Sequence, residues 1–442
     1  MTQSAQDQSS TGDTKAGNYF VSNYPPYSFW KPDYKPEIFE AMERAPKPNN
    51  PLGLYVHIPF CRKRCHFCYF RVITGAKASE IRGYMASAIA EMDLYANKPF
   101  IGGRTPDFVY FGGGTPSFLS TSQLSELTDA LKERLSWDNA KEIAFECEPG
   151  TLTEKKIKHI RDLGVTRLSL GVENFDDHIL GINGRAHRGG EIERAYKTAQ
   201  DAGFPQINID LIAGMLDETD DNWKRVIEKT IEMNPDSVTV YQMEVPFNTT
   251  IYKRMQESGQ LTAPIADWET KRRWVDEAFK SLESAGYRIG SAYTAVRADK
   301  EIDFLYRDLL WEGADLLSLG VASFGHINGT HYQNQHDIDP YMEQVNAGEF
   351  PIYRALTPTD EEALIREFIL QLKLGHLDTA YFDKKFNTNV REKFAAPIAQ
   401  IAAWGYFARN DEQLELTREG LLEVDRLLHE FFLPIHVNKR YA

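Results

Sequence analysis

Leu54-Tyr-Val-His-Ile-Pro-Phe-Cys61-Arg-Lys-Arg-Cys65-His-Phe-Cys68 is the stretch on which the reading of this chain turns. Its first half is a short apolar run of strand character, and its second half places three of the four cysteines within eight residues. Three thiolates on one tight loop can hold three corners of a cubane iron–sulfur cluster, because soft sulfur ligands suit iron and the loop can curl round one centre. Cys147 is remote in sequence. If it does not complete the set, one iron stays open to a small molecule. Structural zinc prefers four protein ligands in closely spaced pairs, and no second Cys/His pair of that kind stands out, although His57 and His66 leave a mixed zinc site open. A disulfide framework suits this chain less, because it is large, has few cysteines and starts with polar Met-Thr-Gln-Ser.

Composition bounds the function classes. With 442 residues, 42% hydrophobic and 26% charged, the chain is long enough for a large core and two or three domains. No apolar run approaches the ~20 residues of a membrane-spanning helix, so no transmembrane segment is expected. The formal net charge of −14 speaks against a general polyanion binder, and nucleic acid is not an expected partner. A cytoplasmic protein with reduced thiols is the expectation.

Residues 1–17 are rich in Ser, Gln, Thr, Asp and Gly and read as a disordered leader. Residues 18–50 form an aromatic arm, with Tyr19, Phe20, Tyr24, Tyr27, Phe29 and Trp30 too dense for a linker. A packed arm over the next domain is the expected role, and a lid over the substrate is the sharper alternative. Across 51–290, strands at Leu54–Ile58, Phe108–Phe111, Glu142–Glu146, Arg167–Val172, Gln206–Ile212 and Ser237–Tyr241 alternate with amphipathic helices. The helical spacing of Ile81, Met85, Ile89 and Met92, and of Leu124, Leu127, Leu131 and Leu135, carries that reading. Repeated β–α units predict an α/β fold, a partial (β/α)6 TIM-type barrel with its active site at the C-terminal ends of the strands. Residues 291–350 read as a barrel-closing extension. Residues 351–442 read as a helical, winged-helix-like domain without the basic face that reading DNA demands.

Every strand end carries polar residues: Gly112-Gly-Gly-Thr115, Glu146-Cys-Glu148, Glu173-Asn174, Asn208-Ile-Asp210 and Gln242-Met-Glu244, with Gly184-Arg-Ala-His187 after the fourth. The cysteine spacing and the Tyr-Val-His-Ile-Pro-Phe leading into it resemble the radical S-adenosylmethionine (SAM) superfamily. Gly-Gly-Gly-Thr-Pro, Leu-Ser-Leu-Gly-Val, Gly-Arg-x-His and Ile-Asp-Leu-Ile narrow the resemblance to its HemN-like branch, named for the oxygen-independent coproporphyrinogen dehydrogenase.

The resemblance implies that Cys61, Cys65 and Cys68 ligate a 4Fe–4S cluster and that two SAM molecules bind. Tyr55, Gly113 and Glu146 match contacts of one; Phe67, Gly114, Thr115, Glu173, Arg185 and Asp210 match contacts of the other. The chemistry of these side chains suits SAM, since carboxylates accept from ribose hydroxyls or an ammonium, and a guanidinium clamps a carboxylate. Two departures from the dehydrogenase stand out. Phe70 occupies the place of its further cysteine, as in the branch's haem chaperones, and Glu173 replaces its usual Gln. Within the branch the pattern looks closest to class C methyltransferases, which implies methylation of an unsaturated carbon such as a menaquinone ring position. Porphyrinogen decarboxylation and haem chaperoning are the alternatives. The implied partners are a small molecule, either a membrane quinone or a tetrapyrrole, and a reductant such as flavodoxin.

Overall fold

The computed structural model describes residues 19–259, 261, 263–408, 414–437 and 439. The leader at 1–17 lies outside them, as does Gln413. Six parallel strands build the centre: β1 (Leu52–Ile58), β2 (Phe108–Gly113), β3 (Glu142–Cys147), β4 (Arg167–Glu173), β5 (Gln206–Ala213) and β6 (Ser237–Gln242). They pair in chain order, each with the next. Helices Ala78–Ala96, Thr121–Arg134, Glu154–Asp162, Gly189–Asp201 and Asp220–Met233 cross between them. All six strands read from the sequence are present, because strands buried on both faces write near-continuous apolar runs that glycine and polar turns interrupt.

The sheet goes on beyond those six. Two antiparallel strands, β7 (Tyr287–Ile289) and β8 (Thr294–Arg297), extend the β6 edge, with β8 next to β6. On the β1 edge stand β9 (Asp315–Leu319), parallel to β1, and the antiparallel β10 (Phe324–Ile327), β11 (Thr330–Asn334) and β12 (Ile352–Leu356). The result is one twelve-stranded sheet whose outer strands β12 and β7 do not pair. The barrel is therefore open, and residues after 290 lengthen both edges instead of zipping them together.

Side chains alternate across this sheet. Val109, Phe111, Ile143, Phe145, Leu168, Leu170 and Ile209 face the helices in one continuous core. Tyr55, Tyr110, Glu142, Glu146, Ser169, Asn208 and Asp210 share the opposite, inner face. The bottom of the barrel is closed from within. The backbone N–H groups of Leu305 and Tyr306 donate to the Glu142 carboxylate at 3.2 Å each, and the Tyr306 ring packs 4.3 Å from that of Tyr110.

A second core belongs to the C-terminal helices around Phe368, Phe382, Phe394 and Phe431. It takes in Val21 and Tyr24 of the arm. The arm is thus packed into the molecule: Lys31 bridges to Ala355 of β12, and Lys373, buried, donates to the Val21 carbonyl at 2.6 Å while paired with Asp425 at 2.8 Å. The arm also reaches the barrel, where the Phe20 N–H donates to Glu244 at 2.6 Å. A two-stranded pair, His376–Leu377 with Leu414–Glu415, completes the C-terminal region. Among the described residues no helix is long and apolar enough to cross a membrane.

Candidate active site

The cysteine loop is tied at both ends. Phe60–Cys61 pairs in parallel with Ile73–Thr74, so residues 62–72 form a closed excursion above the C-terminal end of β1. Inside it the Cys68 N–H donates to the Cys65 carbonyl at 3.2 Å, and Arg64 donates to the Cys68 carbonyl at 3.1 Å. His66 leaves the thiols: its backbone N–H donates to Asn183 and its ring bonds the Ile182 carbonyl at 2.8 Å. It therefore anchors the loop to the segment that carries Arg185.

All four cysteines are free thiols. Thr115 donates to Cys61 Sγ at 3.3 Å, and Arg185 Nη1 donates to Cys65 Sγ at 3.3 Å. Burial pushes the Cys61 thiol up to about 11 and that of Cys68 up to about 12, and neighbouring thiols add to both shifts. Gly114 brings the backbone to this group, since a Cβ there would lie 3.0 Å from Cys61 Sγ and 2.8 Å from the Pro59 carbonyl carbon. Among the described residues no three Cys, His, Asp or Glu side chains converge on a position for a single ion. Three thiols that influence one another without converging, with hydroxyl and guanidinium donors aimed at the sulfurs, fit a cubane that takes each thiolate on a separate iron. Cys147 faces the other way, into the helix-side core.

The carboxylates gather on the inner face below this loop. Glu146 accepts from the Tyr110 hydroxyl at 2.7 Å and from the Gly113 N–H at 3.1 Å. Gly113 has φ +113°, and a Cβ there would sit 2.5 Å from the His57 ring, so only glycine serves. Asp210 accepts from Ser169 at 2.7 Å and from Asn208 at 2.8 Å. Glu173 holds a left-handed φ of 65° at a register shift in β4, which turns its carboxylate to within 3.5 Å of Arg185. Burial raises Glu146 and Glu173 to about 7 each, and Asp210 adds repulsion to both. Asp210 is itself raised by burial, against its hydrogen bonds.

Arg185 is the hub. Beyond Cys65 and Glu173, its Nη2 donates to the Gly171 carbonyl, and its buried Nε has no partner. Burial works to lower its pKa, but Cys65 and Glu173 beside it raise it overall. An unpartnered buried N–H on a guanidinium facing a shared cleft is suited to a carboxylate-bearing ligand.

The site residues expected from the sequence thus fall into two groups, Cys65–Arg185–Glu173 and Gly113–Glu146, with Asp210 between them and Thr115 and Gly114 on Cys61. Tyr55 bonds the His57 ring at 3.1 Å and stacks on Tyr110. Phe67 stands aside, half-buried against the rim cluster of Ile179, Met215, Leu216, Met243 and Ile251. Burial lowers His57 to about 4, and its ring lies against Gly113. Asn174 serves the scaffold, donating to Glu218 and Asn222.

Sequence reasoning missed Tyr110 and Ser169, whose two-residue offsets from Gly112 and Gly171 put them on the inner face. It also missed Arg62, which grips Glu148 with two bonds of 2.8 Å, and the way His187 joins the same carboxylate at 3.1 Å.

Comparison with known proteins agrees with this geometry. The radical SAM superfamily profile matches residues 55–230. The chain is 26% identical over 416 residues to the oxygen-independent coproporphyrinogen III oxidase of Escherichia coli, covering 91% of this chain and 87% of the relative. It is 29% identical to the haem chaperone HemW of Mycobacterium tuberculosis, covering 87% and 95%. The solved structure of E. coli HemN, a radical SAM coproporphyrinogen III oxidase, superposes with a TM-score of 0.81 at 25% identity, over 93% of this chain and 96% of that one. Residues 55–230 match the radical SAM superfamily, and the chain along most of its length is similar to proteins of the HemN-like branch. A 4Fe–4S cluster and SAM are the cofactors this family implies, and Cys61, Cys65 and Cys68 are the thiols in position to carry the cluster.

Proposed function

We propose that this chain is a radical SAM enzyme that takes hydrogen from a tetrapyrrole-class small molecule, with oxidative decarboxylation of a porphyrinogen side chain as its reaction. The observation that carries the reading is the single constellation of three thiols, Arg185, Glu146, Glu173 and Asp210 on one barrel rim, in a chain that aligns with a coproporphyrinogen oxidase over 91% of its length. When bound, the cluster and SAM supply an electron and a 5′-deoxyadenosyl radical that removes hydrogen from carbon.

The chain's own part is placement. Arg185 can clamp the methionyl carboxylate while its other nitrogen steadies Cys65, and Glu173 balances its charge. Glu146, positioned by Tyr110 and Gly113, and Asp210, positioned by Ser169 and Asn208, offer acceptors for an ammonium or ribose hydroxyls. In this reading the two residue groups hold two SAM molecules. The packed arm at the side and Tyr306 at the bottom enclose the chamber and limit water where reactive species form. A reductant such as flavodoxin and an electron acceptor complete the reaction.

Methyl transfer to a menaquinone ring, the first expectation from the motifs, has no counterpart among the relatives named above and gives way to decarboxylation. The haem chaperone reading keeps one specific support. Phe70 replaces the extra cysteine and stands exposed beside Tyr69, ring centroids 4.5 Å apart, an aromatic pair fit to meet a planar macrocycle.

Anaerobic reconstitution with methyl-deuterated SAM and coproporphyrinogen III tests the proposal. Decarboxylation yields 5′-deoxyadenosine and carbon dioxide without S-adenosylhomocysteine. Deuterated product with S-adenosylhomocysteine returns the methyltransferase, and stoichiometric haem binding without SAM cleavage returns the chaperone.

A further inference from the structure

Opposite the carboxylates, the inner face of the sheet changes sign. Residues paired directly across strands share a face. Tyr55 of β1 pairs with Ser318 of β9, Leu316 with His326 of β10, His326 with His331 of β11, and Gln333 with Arg354 of β12. His326, His331, Gln333 and Arg354 therefore continue the surface on which Tyr55 stands. The arm lies over this surface: the Tyr27 ring is 4.6 Å from that of Phe324, and Trp30 stacks on His331 at 5.2 Å. From the C-terminal helix Asp360–Leu372, Arg366 enters the same space at 8% exposure.

Neither guanidinium is neutralised. Arg366 donates to the Asn23 side chain at 2.6 Å and the Leu310 carbonyl at 3.1 Å; Arg354 donates to Gln333 at 2.6 Å and the Tyr27 carbonyl at 2.8 Å. All four acceptors are uncharged, and among the described residues no carboxylate lies within ion-pair distance of either arginine. Burying a guanidinium without an anion is costly, and the remaining N–H groups of the planar fork match a carboxylate.

The histidines add no charge of their own. His326 Nδ1 bonds the Ala314 carbonyl at 3.1 Å, and burial pushes that imidazole down to about 4. His331, only 1% exposed, is also pushed down by burial, with His326 and Arg366 adding to the shift, and its Nε2 is buried without a partner. Tyr27 covers this space, its ring packed on Phe324 and Trp30 and its carbonyl accepting from Arg354.

We propose that Arg354 and Arg366, lined by the His326–His331 pair, form a carboxylate-binding wall that holds an acidic side chain of the substrate opposite the SAM-side carboxylates. The inference rests on the tetrapyrrole reading for the identity of the substrate, but the carboxylate site itself follows from the arginines. The arrangement sorts charge across the chamber. A ligand anion meets the guanidiniums, while the acidic rim is left to the cationic parts of SAM.

Binding to the full anaerobically reconstituted chain tests this, followed by fluorescence with three probes: coproporphyrin III, its tetramethyl ester and 2-naphthoate. Arg354→Gln and Arg366→Gln should each weaken the porphyrin acid by about ten-fold or more and leave the ester within about two-fold, because the ester has no anion to lose. Arg366→Lys should fall between, as an ammonium keeps the charge but lacks the fork. If the arginines merely fasten the arm, acid and ester weaken together and the proposal is overturned. Equal wild-type affinity for acid and ester overturns it as well, as does acid binding that survives both substitutions. Thermal melts identify a variant that fails to fold, in which case Arg354→Lys and Arg366→Lys carry the comparison. Arginine-dependent binding of naphthoate without porphyrin binding upholds the wall and removes the tetrapyrrole reading; no arginine-dependent binding of either acid overturns the wall.

Discussion

Arg62 and Glu148 are joined by two parallel bonds of 2.8 Å, from Nε and Nη2 to the two carboxylate oxygens. Arg62 sits in the cysteine loop, and Glu148 follows β3. The pair therefore fastens the loop that carries the thiols to the barrel. Gly150 makes room for it, since a Cβ there would lie 2.0 Å from the guanidinium. Glu148 also holds His187, two residues beyond Arg185, so one carboxylate sets the position of the loop and of the arginine that reaches Cys65. Burial alone would raise Glu148, but His187 and Arg62 bring it down to about 2.

Glu148→Ala should therefore loosen cluster retention before it unfolds the barrel. With Arg62 about one-third exposed and able to rehydrate, the stability cost is expected to be ~1–3 kcal/mol. Iron and sulfide per chain after gel filtration should fall below the wild-type value, with unfolding midpoints close to it. Full iron retention would show that the loop holds itself.

Cys147 makes the converse case. Its side chain lies on the helix face of β3, among core residues, while Glu146 beside it faces the chamber. Cys147→Ala should keep the visible charge-transfer band and the iron content, and cost about 1–2 kcal/mol for the small cavity it leaves. Cys61→Ala, Cys65→Ala and Cys68→Ala should each lose the band. A bleached Cys147→Ala protein with normal circular dichroism would mean that the chain rearranges to use four thiols.

These residues differ in how far the sequence announced them. The central strands and the cysteine loop were legible because both are local patterns: a buried parallel strand is a run of apolar residues, and a three-thiol loop is a spacing. Glu146, Glu173, Arg185 and Asp210 were legible through short motifs at strand ends. Tyr110 needed the parity of β2 relative to Glu146. Arg354 and Arg366 look like ordinary edge-strand and helix arginines, and only the edge strands, the C-terminal helix and the arm bring them to one place. Which edge the strands after 290 join is not legible in them, since it depends on crossover geometry and not on their own residues.

Glu91 is a further residue no motif revealed, and it gives the molecule a pH-dependent stability. It is fully buried in the helix Ala78–Ala96 and accepts from the Gly320 N–H at 2.7 Å, the Tyr341 hydroxyl at 2.7 Å and Asn334 at 2.6 Å. Burial outweighs those donors and raises the carboxyl to about 7. The folded state therefore holds this proton over a range in which the unfolded chain, at an ordinary glutamate value, has released it. The stabilisation is full below the unfolded value, falls as pH rises from about 4.5 through 7, and is flat beyond that. Chemical denaturation of the wild type should show this loss superposed on the other titrations. Glu91→Gln, uncharged at every pH, should flatten that part of the profile and gain relative to the wild type at pH 8 compared with pH 5. Because the network joins the first crossover helix to β9 and β11, hydrogen exchange at Gly320 and Val321 should speed up in the wild type over the same range. A Glu91→Gln profile parallel to the wild type across pH 5–8 would show that Glu91 stays ionised in the fold, held by its three donors.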